Sequence, residues 1–414
     1  MRFTKQVVEF NFAGIPVIGN LDNGYVIGLS KTGQSLCKEL FRRDVSEDEI
    51  ASADNVLFDH LRRGNFFETH SVSLSSAYLH ITDRCNLDCV GCYSYSKMRN
   101  KLMDPTLRQL QRAIAELSRN GVRNLILSGG EPFLRNDLLQ IVSYTKTSTS
   151  IEEITIATNG AFINQKMIAE IADYVDLISV SIDAPSEHHK SYIRQGQSFS
   201  KTIEAIESIQ HAGISCQILP TLHSKNICYV NDYVTLATGL KTSLNYSLYS
   251  VIGDNEYLDS FIPDDQTLCE LGRMAFLQGV KGVSGVRDAP IGLNLSVRRS
   301  CGAAKGIISV AANGDVYPCH MMHQGIFLLG NIYSDSLKDI LNSKSTLEVR
   351  NTLVGLCQEC QDCQYVLLCG GGCKARAYST TESSVKCDSY CSMYQTFYAD
   401  FENHLKGQLS KKEV

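Results

Sequence analysis

The stretch Cys85-Asn-Leu-Asp-Cys89-Val-Gly-Cys92 places three cysteines in one short segment, directly after an apolar run, Ala77–Ile81, that is typical of a strand. Three thiolates this close can hold three irons of a [4Fe–4S] cube and leave the fourth iron open for chemistry. Zinc is the alternative, but a structural zinc site takes four ligands, and no fourth lies nearby in the sequence. The triplet therefore favours an iron–sulfur site that follows the first strand of a larger unit.

The composition narrows the class of protein further. The chain has 414 residues, which predicts two or three domains, and its formal net charge of −5 argues against nucleic acid or an anionic membrane surface as a partner. No apolar run reaches the roughly 20 residues of a membrane span, and the N-terminus lacks the apolar core of a secretory signal. We therefore expect a cytoplasmic protein with no membrane contact, whose 16 cysteines ligate metal instead of forming disulfides.

Strand-like and helical segments alternate from Ser76 to about Val251, which predicts an α/β fold with a parallel sheet. Six such units are too few for a closed eight-stranded barrel, so we expect an open, partial (β/α)6 barrel. Ligands gather at the carboxyl ends of the strands in such folds. The candidate strands are Ala77–Ile81, Asn124–Leu127, Ile154–Ala157, Leu177–Val180, Cys216–Thr221 and Leu244–Val251.

Polar motifs follow the next strands at their carboxyl ends. Ser128-Gly129-Gly130-Glu131-Pro132 follows the second candidate strand, Thr158-Asn159-Gly160 the third and Ser181-Ile-Asp183 the fourth, with Arg194 a few residues on. The glycines allow the main chain to approach a ligand closely. Each motif alone is an ordinary turn, but their order at successive strand ends argues against an interpretation as turns alone.

With these residues in place, the chain resembles the radical S-adenosylmethionine (radical SAM) superfamily. The resemblance implies that Cys85, Cys89 and Cys92 ligate a [4Fe–4S] cluster, and that SAM bound there yields a 5′-deoxyadenosyl radical that abstracts hydrogen from an unactivated carbon. It implies that the following residues contact SAM: Gly129, Gly130, Glu131, Pro132, Asn159, Ser181, Asp183 and Arg194. One position departs from the pattern, because Gly91 stands where the family usually carries an aromatic residue near the adenine; Tyr93 is the candidate substitute.

The last quarter of the chain holds a second group of cysteines. By spacing alone, cysteine pairs of this kind suit either zinc or iron–sulfur ligation. The seven-cysteine pattern resembles the SPASM extension found behind radical SAM domains, which holds two auxiliary [4Fe–4S] clusters and so implies three clusters in all. The resemblance assigns Cys360, Cys363, Cys369 and Cys387 to the outer cluster, and Cys301, Cys319 and Cys373 to the inner one. The fourth ligand of the inner cluster is Cys357 or Cys391, or else that iron is open.

Two histidines accompany one of these ligands, in the sequence Cys319-His320-Met-Met-His323. They suggest metal binding, but a loop beside a cluster explains them as well. Their imidazoles could also tune the potential of a cluster by hydrogen bonding.

The residues ahead of the triplet predict a small unit of their own. Its elements are strands Phe10–Phe12, Pro16–Ile18 and Tyr25–Ile27, a hairpin at Asn23-Gly24, one helix that opens at Ser30 and a second that runs from Ser46 to Gly64. This winged-helix-like order resembles the recognition element of maturases for ribosomally made, modified peptides (RiPPs), which binds a leader peptide as an added strand. A packing module with no ligand is the alternative. The predicted domains are therefore 1–73, 74–297 and 298–414.

Together these resemblances predict a peptide maturase that forms a cross-link, with a cysteine thioether as the leading possibility. Its predicted partners are a precursor peptide with a leader and a flavodoxin or ferredoxin as electron donor. Close alternatives form carbon–carbon links or decarboxylate a terminal tyrosine. A sulfatase-type maturase that makes formylglycine is another alternative, although the 84 residues ahead of Cys85 count against it. A metal-stabilised binding protein without catalysis is the alternative from another class.

Overall fold

Strands and helices of the central region alternate as the apolar pattern predicts. The computed structural model describes residues 1–68, 74–94, 99–251, 256–286, 289, 291–354, 358–383 and 386–410. Apart from short 3-10 turns, its elements are β1 (Val7–Phe12), β2 (Ile15–Asn20), β3 (Val26–Gly28), α1 (Lys31–Arg42), α2 (Glu47–Ala53), α3 (Asn55–Arg63), β4 (Ser76–Thr82), α4 (Leu107–Arg119), β5 (Asn124–Gly129), α5 (Leu138–Ser148), β6 (Glu153–Thr158), α6 (Gln165–Ile171), β7 (Leu177–Val180), α7 (Phe199–His211), β8 (Ser215–Ile218), β9 (Thr221–Leu222), α8 (Val230–Leu240), β10 (Ser243–Leu248), α9 (Glu256–Asp259), α10 (Asp265–Val280), β11 (Gly285–Val286), β12 (Ile307–Val310), β13 (Asp315–Tyr317), β14 (Gly330–Asn331), α11 (Leu337–Asn342), α12 (Lys344–Val354), α13 (Val366–Cys369), α14 (Lys374–Thr381) and α15 (Cys391–Ser410).

A single sheet forms the centre of the molecule, with strand order β11-β10-β8-β7-β6-β5-β4-β12-β13-β14. From β11 to β12 neighbouring strands run parallel, and β13 and β14 are antiparallel additions at one edge. Parallel strands need helical crossovers, and the helices between them cover the sheet. The expected α/β partial barrel is confirmed.

The sixth predicted strand and its predecessor are shorter than the apolar runs that predicted them. The run Cys216–Thr221 is divided, because β8 ends at Ile218 and β9 begins only at Thr221. Pro220 lies in the gap and has no N–H to donate to a ladder. The run Leu244–Val251 leaves the sheet at Leu248, so that its last residues line a cavity instead.

Local sequence explains where the helices begin. The side chain of Thr106 accepts a hydrogen bond from the N–H of Gln109, and the side-chain oxygen of Gln109 accepts one from the N–H of Thr106, so α4 opens with a capping box. Its buried face carries Leu110, Ala113, Ile114 and Leu117 at helical spacing, and this face packs in the main core.

The N-terminal residues form an antiparallel sheet, β1-β2-β3, beneath three helices, with a core of their own around Ile18, Leu40 and Phe66. The prediction of a single helix from Ser46 to Gly64 is wrong. The helix breaks at Asp54, whose backbone is extended and whose side chain accepts from the N–H of Leu57 at 2.9 Å. Asp54 therefore caps a new helix, α3, as aspartates commonly do.

This N-terminal sheet also packs against the rest of the chain. The ring of Phe12 lies edge-on to Phe401 of α15, with centroids 5.8 Å apart, and Phe12 belongs to the main core. A β-carbon on Gly19 would lie 2.5 Å from Val297, so the absence of a side chain permits a close approach. The N-terminal sheet is thus in direct contact with both the C-terminal helix and the segment around Val297.

A helix must be both long and apolar to span a membrane. Within the ranges that the structure describes, no helix is both long enough and apolar enough to span a membrane.

Candidate active site

The carboxyl ends of the parallel strands surround a cavity with an empty volume of about 1150 Å³. We call it the first cavity. Residues from the ends of β4, β5, β6, β7 and β10 line it, as expected for a parallel sheet. Among the residues singled out in the sequence, the structure brings these to its wall: Cys85, Cys89, Cys92, Gly129, Gly130, Glu131, Asn159, Ser181 and Arg194.

The cysteine triplet lies in the loop after β4, and several hydrogen bonds fix that loop. The N–H of Cys85 donates to the side chain of Asn100 at 2.8 Å, and a guanidinium nitrogen of Arg99 lies 3.5 Å from the sulfur of Cys92. Burial raises the pKa of the Cys89 thiol to about 12. A group that is so costly to ionise in this setting needs a strong cation to hold it as a thiolate, which a metal centre provides.

Gly91 within this loop has a positive φ of 67°, and a β-carbon on it would lie 2.5 Å from the ring of Tyr249. The aromatic ring beside Gly91 is therefore that of Tyr249. The predicted substitute, Tyr93, also lines the cavity, but its hydroxyl pairs with Ser128 at 2.6 Å and its ring lies edge-on to His320. Sequence reasoning missed Tyr249 because it follows β10, far along the chain from the triplet.

The two glycines after β5 let two loops meet. Gly129 has a φ of 130°, and a β-carbon on Gly130 would clash with the carbonyl oxygen of Arg84. Instead the N–H of Gly130 donates to Thr82 at 2.8 Å, beside the triplet loop. Glycine is required here for backbone approach.

Glu131 next to them is fully buried and structural in its contacts. Its carboxylate accepts from the N–H of Phe133 at 3.1 Å, the hydroxyl of Thr158 at 2.7 Å and the N–H of Asn159 at 2.9 Å. It thereby ties the end of β5 to the end of β6. Pro132 is buried and starts the 3-10 turn that follows.

Asn159 and Ser181 join these strand ends to neighbouring loops. The side chain of Asn159 donates to Asn86, inside the cysteine triplet, at 2.9 Å. The carbonyl of Ser181 accepts from Gln197 at 2.6 Å, and its N–H donates to Thr158 at 2.9 Å. The positions of the strand ends and of the triplet are therefore set together.

Asp183 and Arg194 form a buried ion pair beside the cavity. Oδ1 of Asp183 accepts from Arg194 and from the N–H of Thr221, the latter at 3.2 Å. Oδ2 is buried, and the described protein atoms give it no hydrogen-bond donor. Asp183 itself does not line the cavity, whereas Arg194 does, so the carboxylate bears on the cavity through the arginine that it holds.

A second cavity, with an empty volume of about 720 Å³, is lined by Cys301, Cys319 and Cys373. The structure therefore brings together the three cysteines assigned to the inner cluster. Burial raises the pKa of Cys373 to about 11. Of the two candidate fourth ligands, Cys391 begins α15 and is not among the lining residues, and Cys357 lies outside the described residues.

The cysteines assigned to the outer cluster also approach one another. The sulfurs of Cys360 and Cys387 are 3.4 Å apart, and both cysteines are unbridged. Cys363 follows in a turn in which its N–H donates to Cys360 at 3.2 Å. Cys369 ends α13 and is close enough to Cys363 for their charges to interact.

Comparison with known proteins identifies the central fold. Residues 79–237 match the radical SAM superfamily. The protein is a radical SAM enzyme. Residues 301–364 match SPASM, an iron–sulfur cluster-binding domain, so that Cys369, Cys373 and Cys387 lie beyond the matched range. The two matches imply SAM and iron–sulfur clusters as cofactors.

Several relatives of this radical SAM enzyme span most of its length. An AdoMet-dependent heme synthase of Methanosarcina barkeri is 26% identical over 75% of this chain and 94% of its own. The mycofactocin maturase MftC of Mycobacterium tuberculosis is 28% identical over 72% of this chain and 78% of its own.

Solved structures share the fold. Native anSMEcpe with bound AdoMet is 18% identical, has a TM-score of 0.68, and covers 82% of this chain and 100% of its own. Streptococcus suis SuiB bound to the precursor peptide SuiA is 14% identical, has a TM-score of 0.60, and covers 94% of this chain and 99% of its own.

The residues of the first cavity fit both cofactors. Three half-buried thiols line one space, the glycine backbone of Gly129 and Gly130 borders it, and the Arg194 guanidinium, paired with buried Asp183, lies in its wall. Thiolates suit iron, and a backbone cradle suits the polar groups of SAM.

Proposed function

We propose that this enzyme forms a cross-link in a ribosomally made precursor peptide, joining a cysteine sulfur to a carbon of the same peptide. The observation that carries the proposal is an open strand edge in the N-terminal unit. β3 pairs with β2 on one side, and its other side pairs with no strand of the described ranges. Such an edge presents unpaired N–H and C=O groups to an extended peptide.

A groove beside this edge completes a peptide site. It has an empty volume of about 840 Å³ and lies between β3 and α3, lined by Ile27, Leu29, Asp54, Val56, Leu57 and His60 among others. Val56 is 69% exposed. Apolar side chains at an edge strand give a bound strand both pairing and side-chain contacts, which is how strand addition obtains affinity and specificity.

In the first cavity, we assign Cys85, Cys89 and Cys92 to a [4Fe–4S] cluster. We assign the SAM contacts to Gly129, Gly130, Glu131, Pro132, Asn159, Ser181, Asp183 and Arg194. When bound, the cluster and SAM together supply a carbon radical that can remove hydrogen from an unactivated carbon. The buried contacts of Glu131 and Asp183 support positioning roles, because each already ties strand ends together.

For the C-terminal region we propose two auxiliary clusters, three in all. Cys360, Cys363, Cys369 and Cys387 would hold the outer one, and Cys301, Cys319 and Cys373 the inner one. The proximity of Cys360 to Cys387, and the shared cavity of the other three, support this division. Cys391 lies outside the cavity wall, which leaves Cys357, outside the described residues, or an open iron for the fourth position of the inner site.

The reaction balances when the peptide loses two hydrogens. One would leave as a hydrogen atom taken up by the 5′-deoxyadenosyl group that bound SAM would supply, with methionine as the other fragment and one electron from a flavodoxin or ferredoxin. The S–H proton would go to solvent as the carbon–sulfur bond forms, and the remaining electron would need an acceptor such as an auxiliary cluster held by the C-terminal cysteines.

The test is anaerobic co-expression of the enzyme with a small peptide encoded beside its gene, followed by intact mass measurement. We expect a loss of two hydrogens that disappears with the Cys85→Ala/Cys89→Ala/Cys92→Ala variant. Alkylation of the product should leave one cysteine unmodified, because its sulfur is bonded. A product with all thiols free would contradict a thioether and favour a carbon–carbon link, and loss of a carboxyl group would indicate decarboxylation.

Peptide recognition is tested separately in the full-length chain. Val56→Glu places a charge in the groove, and we expect binding of the fluorescently labelled peptide to weaken at least about tenfold. Leu347→Glu on α12 is the matched control, because Leu347 is also an exposed apolar residue, at 48%, outside the groove. Equal binding by both variants would contradict the groove as the peptide site.

Sulfatase maturation is the second candidate, since a cysteine-type anaerobic sulfatase-maturating enzyme of Clostridium perfringens is 24% identical over 76% of this chain and 92% of its own. A synthetic peptide bearing a sulfatase cysteine motif would then be oxidised to formylglycine, and the product would react with hydrazides. Such a product, together with an unchanged neighbouring-gene peptide, would replace the cross-link proposal.

A further inference from the structure

His320 lies in the wall between the first and second cavities. His320 and Met321 line both of them, so one imidazole borders the site of the cysteine triplet and the site of Cys319. The sequence alone leaves the role of this histidine open between metal binding, loop packing and hydrogen bonding to a cluster.

Ring contacts hold the imidazole on the side of the first cavity. It stacks on Tyr78 of β4, with centroids 4.0 Å apart and planes 22° from parallel. Tyr93 meets it edge-on at 5.2 Å. A ring held against two others has little freedom to rotate away, so the direction of its nitrogens is fixed.

One nitrogen of the ring lies near sulfur. Nδ1 of His320 lies 3.5 Å from the sulfur of Cys319. A thiolate that ligates iron carries no proton, so in a loaded site the imidazole must be the donor. A hydrogen bond to a ligand sulfur stabilises the additional negative charge of a reduced cluster, and thereby raises its reduction potential.

We propose that His320 is a positioning residue that donates a hydrogen bond from Nδ1 to the Cys319 sulfur and raises the reduction potential of the inner cluster. This rests on the proposed assignment of Cys319 as a ligand. A higher reduction potential would make the inner cluster a better acceptor. An electron that leaves a substrate in the first cavity would therefore be directed towards the inner site.

His323 provides an internal comparison. It belongs to the same short loop, and its ring stacks on Tyr317 with centroids 4.5 Å apart. Its Nε2 pairs with the hydroxyl of Ser309 at 2.8 Å. A substitution there disturbs the loop and its ring packing while leaving the His320–Cys319 contact in place.

The test is a redox titration followed by electron paramagnetic resonance. The Cys85→Ala/Cys89→Ala/Cys92→Ala background removes the signal of the triplet site and leaves the auxiliary clusters. His320→Phe preserves a stacking ring but removes the donor, so we expect the inner-cluster midpoint to move to a more negative potential. His320→Asn restores a donor near the Nδ1 position and should bring the midpoint back towards the original value, and His323→Phe should leave it unchanged.

An unchanged midpoint in a His320→Phe protein with full iron content would overturn the proposal. A shift of equal size in His323→Phe would do so too, because it would indicate a general disturbance of the loop. Cys319→Ala tests the ligand assignment separately from the hydrogen bond of His320. If that variant keeps all iron and both auxiliary signals, Cys319 is not a ligand, whatever the His320 variants show.

A second readout needs no substitution at His320. In protein labelled with ¹⁵N-histidine, the reduced inner cluster should show a nitrogen coupling in pulsed resonance spectra, and His323→Phe should retain it. Absence of that coupling in the otherwise unaltered chain would contradict the hydrogen bond directly.

Discussion

At the scale of single residues, close backbone packing and buried hydrogen bonds fix the shape of the rim of the first cavity. Glu131 takes three hydrogen bonds from two strand ends, and Gly130 passes directly against the carbonyl of Arg84. The sequence predicts the residue types here, because glycines and a carboxylate after a strand are recognisable locally. It does not predict that Tyr249 lies over Gly91, since that contact joins segments distant in the chain.

Gly130→Ala should therefore disturb SAM binding. The added methyl group must displace the backbone around Arg84, and overpacking of this kind commonly costs about 1–3 kcal/mol, which would weaken binding roughly five- to 150-fold if the SAM-binding conformation bears the whole cost. Equilibrium binding of SAM to the reconstituted enzyme measures the effect. Gly239→Ala on α8 is the control, because its β-carbon would meet no atom within 4 Å. Unchanged SAM affinity in Gly130→Ala would show that this rim does not touch the cofactor.

A buried histidine makes stability depend on pH. His223 is fully buried among aromatic rings, and burial lowers its pKa from 6.5 to about 4. Between about pH 6.5 and pH 4 the unfolded chain binds a proton that the folded chain does not, so stability falls as the pH drops through this window, by up to about 3 kcal/mol. Thermal midpoints of the wild type and His223→Gln should converge as the pH falls from 7 to 5. A difference that is constant across this range would refute the assignment.

At the scale of elements, most starts and ends follow from local chemistry, and the exceptions have local causes. Thr106 and Gln109 cap α4 as their sequence indicates, whereas Pro220 divides a run that reads as one strand. The break between α2 and α3 is harder to predict, because an aspartate at position 54 could either continue one helix or cap the next. Packing of Leu57 and Leu61 in the N-terminal core favours the cap.

Asp54→Ala should loosen the start of α3 by about 1 kcal/mol, because the N–H of Leu57 loses its acceptor. Hydrogen exchange of residues 55–63 in the full-length chain should then be roughly fivefold faster. Asp54→Asn keeps an acceptor and should exchange at nearly the original rate. Ser46→Ala, which uncaps α2, is a matched control that should leave 55–63 protected. If Asp54→Ala exchanged as slowly as Asp54→Asn, the cap would not govern this helix.

At the scale of the whole molecule, one buried ionic group connects the C-terminal region to the first cavity. The carboxylate of Asp388 accepts from Arg376 at 3.0 Å and from the N–H of Cys373 at 2.6 Å, and the pair Arg376–Asp388 is fully buried. Arg376 lies over the ring of Tyr390, whose hydroxyl donates to the carbonyl of Tyr249 at 2.9 Å. The cysteine spacing predicts which region binds metal, but not this link, which depends on how the chain folds back.

Asp388→Ala should destabilise the protein by about 3–5 kcal/mol, because it leaves a buried guanidinium without its carboxylate. Denaturation midpoints measure the loss. Glu170→Ala is the control, since its ion pair with Lys166 is exposed and worth well under about 1 kcal/mol. If the two variants were equally stable, the buried pair would not be a structural centre of this region.

The predicted boundaries at 73/74 and 297/298 remain predictions, and the pairing of β12 with β4 bears on any attempt to build chimaeras at the second one. Residues 307–310 form the strand beside the first four residues of β4, so a protein cut before them would expose that edge of an apolar strand. Exposed strands of this kind recruit other copies and precipitate. A graft that exchanges the C-terminal region for another should therefore retain β12, β13 and β14 as part of the recipient, and place the seam after Asn331.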